Sequence, residues 1–155
     1  MKLSGKRWRV GTLAALAFVG FIIAYALWVE PNWIETTEHR FNYPLDTPLK
    51  IAHLSDLHTY GLGRREQTML DILEAEKPDL ILITGDTIPH PGAYELSAAI
   101  LSKLHAPLGV WAVRGNHECW AQKKDEREFW HQQGVKLLIN ENARVREDVW
   151  LIGMD

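Results

Sequence analysis

Residues 79–86 read DLILITGD. Five residues, Leu80-Ile81-Leu82-Ile83-Thr84, are apolar or β-branched without alternation, the pattern of a strand buried on both faces. Gly85 and Asp86 then break the run with a residue of free backbone and a carboxylate. Buried strands of this kind belong to parallel sheets covered by helices, so the flanks should alternate between the two periodicities. They do. Lys50–Ser55 reads as a short strand and Arg64–Glu76 as a helix with Met69, Ile72 and Leu73 on one face, closed by Lys77-Pro78. Ala93–Leu104 reads as a second helix, Gly109–Val113 as a strand and Lys123–Gln133 as a helix closed by Gly134. Strands at 136–139 and 149–153 complete a βαβαβαβ order. The expected fold class is α/β with a mostly parallel sheet.

Ligands of such sheets bind beyond the carboxyl ends of the strands. Those exits are Ser55-Asp56-Leu57-His58, Gly85-Asp86 and Gly115-Asn116-His117-Glu118. All three carry oxygen or nitrogen ligands on one edge. Asp56 and His58 are two apart, so an extended segment would turn both to the same side and offer them to one divalent cation. Asp86 has a second oxygen with which to bridge to another, and Gly85 permits close backbone approach. Asn116 adds an amide oxygen without charge, which suits an anionic phosphate substrate. Two cations about 3.5–4 Å apart clamp attacking and leaving oxygens and lower the pKa of a shared water. His117, read as outside the ligand set, would face the phosphoryl group and protonate the leaving oxygen or steady developing charge.

Other polar residues take lesser roles. Glu118 is expected to orient a ligand rather than bind metal. Arg64 and Arg65 open a helix near the site, and Arg64 is a candidate contact for substrate phosphate. His90, four residues past Asp86, is a candidate to border the pocket. His53 is read as a packed strand histidine, and His39, His105 and His131 as solvated. The lone Cys119 excludes an internal disulfide and has no base placed to activate it.

"SDLH" at 55–58, "TGD" at 84–86 and "RGNHE" at 114–118, in that order at strand ends, resemble the calcineurin-like metallophosphoesterases. The linker "EPNWIETTEHRF" at 30–41 is similar to the membrane-anchored bacterial branch with phosphodiesterase activity. The resemblance implies the first part of an α/β/β/α sandwich over residues 50–155. It implies a first metal on Asp56, His58 and Asp86 and a second on Asp86 and Asn116. His117 becomes general acid or phosphate contact. Two divalent ions, Mn²⁺ first with iron, zinc or nickel compatible, and phosphodiester hydrolysis by a dimetal-activated hydroxide follow from it. Members of the family supply further histidines from a later Gly-His-x-His stretch that has no counterpart before the chain's last residues, "VWLIGMD". The expectation is a truncated chain. The alternative function is a catalytically incomplete remnant that binds metal.

The amino terminus sets location. Val10–Val29 is 20 residues without a charge, the length a bilayer core of about 30 Å requires. Lys2, Lys6, Arg7 and Arg9 precede it, and Trp8, Trp28 and Trp33 mark its ends. Cations stay cytoplasmic and indoles collect at the headgroups. The reading is a basic tail (1–9), an uncleaved single-pass signal anchor (10–29), a linker with an edge strand near Thr36–Tyr43 (30–49) and an extracytoplasmic body. Ala24-Tyr25-Ala26 leaves a cleavable signal as the competing reading. From residue 30 onward there are 13 basic and 20 acidic residues, a net of −7. Such a body suits cations better than a nucleic-acid backbone.

Overall fold

The computed structural model describes residues 3–121 and 123–154, in two compact units comprising residues 1–37 and 38–155. In the first unit, α1 (Leu3–Ala24) runs on through a wider π-type turn, Tyr25–Val29, and a tight turn, Glu30–Asn32. An unbroken apolar run without helix breakers explains its length, and Pro31 helps to end it by removing a donor. Thr12 and Asn32 satisfy their side chains locally: Thr12 Oγ1 donates to the Trp8 carbonyl and Asn32 Nδ2 to that of Trp28. Trp8–Asn32 is long and apolar enough to cross a membrane.

The second unit is built on four parallel strands in the order β1 (Ile51–Leu54), β2 (Leu80–Thr84), β3 (Val110–Val113), β4 (Val135–Leu137). Leu54 pairs with Ile83, and Thr84 with Val113, so the first three strands end on one edge. The connections contain α2 (Arg64–Glu76), α3 (Tyr94–Leu101, entered through a tight turn at Pro91–Ala93), and α4 (Asn116–Trp120) with α5 (Glu126–Gln132). Side chains alternate across the sheet. Ile81, Ile83, Val110, Ala112 and Val135 are buried on one parity, and Met69, Ile100, Leu101, Phe129 and Trp130 supply the helices' share of the core.

The opposite parity is covered by a hairpin, β5 (Glu141–Arg146) and β6 (Val149–Gly153), paired antiparallel. Leu80, Trp111 and Leu138 form a buried cluster there, packed against Leu82, Leu108, Val113, Ala143, Val145 and Leu151. The hairpin turn is tied to the connecting segment. Arg146 pairs with Asp148 and donates to the Thr47 carbonyl (3.0 Å) and hydroxyl (2.9 Å), while the Asp46 N–H donates to Asp148.

The α/β reading and the three exits agree with this architecture. Three local readings do not. Thr36–Tyr43 is not a strand: a strand exists by pairing, and no other described strand reaches it. Glu141–Arg146 is a strand although only Ala143 and Val145 mark its inner face. His53 is exposed rather than packed; β1 lies at the sheet edge, outside the cluster beneath the hairpin, and its ring contacts Thr84 Oγ1 at 2.6 Å.

Trp111 sits in the cluster under the hairpin, and its Nε1 donates to the Leu108 carbonyl at 3.0 Å, just before its own strand. Trp111→Ala should lower unfolding stability by about 3–5 kcal/mol in urea titrations. A cost below about 1 kcal/mol would show that the hairpin does not depend on this residue.

Candidate metal centre

The loop after β1 stays attached to the loop after β2. The backbone N–H groups of Asp56, His58 and Thr59 donate to the carbonyls of Gly85 (3.2 Å), Asp86 (2.9 Å) and Thr87 (2.9 Å). This continuation of the ladder needs unusual backbone: Asp56, His58 and Asp86 have φ of 54°, 40° and 53°. Non-glycine residues enter this left-handed region at a cost of order 1–3 kcal/mol each, and such strain concentrates at functional sites.

Two glycines bring the second and third exits together. A Cβ on Gly85 would stand 2.6 Å from the Gly115 Cα, and one on Gly115 would strike the Asp86 side chain and lie 2.5 Å from its nitrogen. With both bare, the His117 N–H donates to Asp86 Oδ1 at 2.9 Å. The inward atom of the Asn116 carboxamide then lies 2.9 and 3.2 Å from the Asp86 carboxylate oxygens. As nitrogen it donates to both; as oxygen it is a third acceptor in a cluster that only a cation reconciles.

His58, Asp86 and His117 each present a ligand atom within 4.8 Å of the others, all partly buried. The two imidazoles meet edge to face, 4.5 Å between centroids. His117 Nδ1 lies 3.0 Å from the Pro89 carbonyl, which can only accept. That contact assigns a proton to Nδ1 and leaves Nε2 as the nitrogen that can bind a cation or carry a proton. Two imidazoles, a carboxylate and an amide form a mixed N/O donor set that fits a divalent transition metal.

Supporting residues hold this geometry. Glu118, 1 % exposed, accepts from four backbone N–H groups: Asp86 (2.9 Å), Thr87 (2.7 Å), Ile88 (2.8 Å) and Gly115 (2.8 Å). Thr59 Oγ1 donates to Ser97 in α3 at 2.6 Å, buried. Arg65 donates to the Leu57 carbonyl at 2.6 Å and pairs with Glu66, whose carboxylate also accepts from the Gly63 N–H. Burial raises the Glu66 pKa, but donors from its own backbone, Arg65 and Gly63 outweigh that and hold it below the usual carboxylate range.

Residues 49–151 match the family model for calcineurin-like phosphoesterases. The chain belongs to that family. Among metallophosphoesterases of other organisms, an uncharacterized protein of Aquifex aeolicus is 31% identical over 84% of this chain and 50% of its own length. One from Bacillus subtilis is 36% identical over 76% of the chain and 46% of its length. A bovine transmembrane protein with a metallophosphoesterase domain is 31% identical over 90% of the chain and 34% of its length. The chain thus spans about half the length, or less, of the curated relatives it matches.

Within this metallophosphoesterase, His58, Asp86 and Asn116 gather as read from sequence. Asp56 does not join the group. The alternation argument assumed extended backbone, whereas both Asp56 and His58 are left-handed, and the exposed Asp56 carboxylate accepts from Ser55 Oγ. His117, read as outside the ligand set, presents a ring nitrogen within 4.8 Å of ligand atoms of His58 and Asp86. Arg64 is exposed, and its neighbour Arg65 supports the loop instead. His90 is exposed, caps the turn before α3 through Gly92 and lies 5.8 Å from Tyr60 between ring centroids. The supports Glu118 and Glu66 share one legible signal: each stands three residues after a glycine that starts a helix, placed to take that glycine's N–H.

Glu118→Gln replaces one accepting oxygen by a donor facing donors. It should cost at least about 3 kcal/mol in urea unfolding, two charge-assisted bonds' worth; an unchanged midpoint would contradict the clamp. Glu66 has a depressed folded pKa, so its contribution is present above the unfolded carboxylate's pKa and disappears as pH falls through the folded value. The stability gap between wild type and Glu66→Gln should therefore close on acidification and persist at neutral pH, measured by unfolding across pH.

Proposed function

We propose that the chain is the metal-binding part of a dimetal phosphodiesterase, anchored by residues 10–29 with its body on the extracytoplasmic side. The observation that carries this reading is the convergence of His58, Asp86 and His117 on one small volume, with the Asn116 amide against the Asp86 carboxylate. Asp86 would serve both cations, His58 one and Asn116 the other, with Asp56 a further carboxylate for the first. The carboxylate and amide oxygens suit Mn²⁺, and the imidazole nitrogens are equally compatible with iron, zinc or nickel. When bound, the cations supply charge stabilisation for the phosphoryl group and a water of lowered pKa. The residues do the rest. The Pro89 carbonyl holds the His117 tautomer, and Nε2 takes and returns the proton that ester cleavage moves. Glu118 and the paired glycines keep the oxygens aimed without repacking during turnover.

The membrane placement is supported by the apolar helix Trp8–Asn32, the cations before it and a relative named as a transmembrane protein. A relative from Chlamydia trachomatis named UDP-2,3-diacylglucosamine pyrophosphatase, 29% identical over 58% of the chain, supports a phosphoric ester or anhydride linkage as substrate. A second reading, a metal-binding protein without turnover, needs only the donor cluster of His58, Asp86 and His117.

Hydrolysis of bis(p-nitrophenyl) phosphate by the detergent-solubilised, Mn²⁺-loaded chain tests the first reading. Asp86→Asn should lower kcat/KM by at least about 100-fold and weaken Mn²⁺ binding, as loss of a shared ligand does. Mn²⁺ retention without hydrolysis would select the second reading, and hydrolysis indifferent to Asp86→Asn would overturn the first.

A further inference from the structure

Trp120 is 72 % exposed although it closes the five-residue helix that carries Asn116 and His117. A single exposed apolar side chain is ordinary on a protein surface, and what sets Trp120 apart is its contact with His117. Its mounting is rigid: Glu118 below it is buried in the amide clamp and the following Ala121 is 1 % exposed, its N–H donating to the His117 carbonyl at 2.7 Å. Trp120 stands three residues after His117, on the same helical face, and the two rings lie 5.2 Å apart at a tilt of 54°. One part of the indole is therefore fixed against a histidine of the metal centre, and the rest presents a flat apolar surface beside the place where a phosphoryl group would sit.

We propose that Trp120 is the specificity platform of this site, stacking a planar ring carried by the phosphate ester, such as an aryl group or a nucleobase. The inference rests on the phosphoesterase reading and adds the class of organic group recognised. Flat faces stack on flat faces through offset contact of their π-systems. An acyl chain would instead need a continuous apolar trough. Two surface depressions, one lined by Tyr60–Gly63 with Arg65 and Glu66 and the other along α5, β4 and β5, are lined by residues other than Trp120.

Calorimetric titration of phenylphosphonate and methylphosphonate into the Mn²⁺-loaded, detergent-solubilised full chain tests this. Both share the phosphonate head and differ in the ring. Wild type should bind the phenyl compound about ten-fold more tightly, within the range that stacking on an exposed aromatic provides. Trp120→Ala should abolish that preference while leaving methylphosphonate affinity unchanged, which also reports that the variant is folded. Trp120→Phe, which keeps a flat ring, should retain most of the preference. A phenyl preference that survives in Trp120→Ala, or equal binding of both compounds by wild type, would overturn the platform and leave the phosphoesterase reading standing. Binding of neither phosphonate by wild type would overturn that reading and the platform with it.

Discussion

One carboxylate sets the geometry of this protein's chemistry. Four backbone N–H groups, three from the loop after β2 and one from the loop after β3, converge on Glu118 in a nearly water-free position. The three donors of the loop after β2 find their acceptor on the helix that follows β3, at a place where Thr87 and Ile88 are fully buried. Burying a charged carboxylate is costly unless it is fully hydrogen-bonded, and burying four amides without an acceptor is costlier still. Each cost is cancelled only when both loops are in place. The clamp therefore makes the arrangement of Asp86, Asn116 and His117 all-or-none. That suits a site whose oxygens must be held against mutual repulsion before a cation arrives.

The sheet makes the clamp achievable. Parallel strands in register deliver three exits to one edge, and apolar residues on both parities fix that register, since a one-residue slip would expose an entire face. The hairpin covers one face through Leu80, Trp111 and Leu138. Gly85 and Gly115 then let two backbones touch where side chains would hold them apart. Local strain at Asp56, His58 and Asp86 is carried by this scaffold, and Arg65, Thr59 and Glu66 hold the first loop from the opposite side.

Much of this was legible in the residues. "DLILIT" could only be a buried strand, and the spacing of "SDLH", "GD" and "GNHE" at strand ends announced a shared edge. What escaped was conformational. Alternation placed Asp56 beside His58, but that rule holds for extended chain, and neither residue is extended. The placement of the His117 ring depends on a carbonyl, Pro89, that no pattern singles out. Arg65 rather than Arg64 meets the loop because of the rotation of one helical residue. The strand at 141–146 carries mostly charged residues outward, which hides its alternation. Side-chain type predicts chemistry well and direction poorly, and direction here is set by backbone strain and long-range hydrogen bonds.

The central claim is that His58, Asp86 and Asn116 hold divalent cations beside His117. Diffraction from crystals of the chain grown with Mn²⁺, recorded on both sides of the manganese absorption edge, tests it without reference to turnover. The account predicts an anomalous peak in the space between the His58, Asp86 and His117 side chains, with a second against Asp86 and Asn116. Manganese found only elsewhere on the protein, with that space dark, would contradict it.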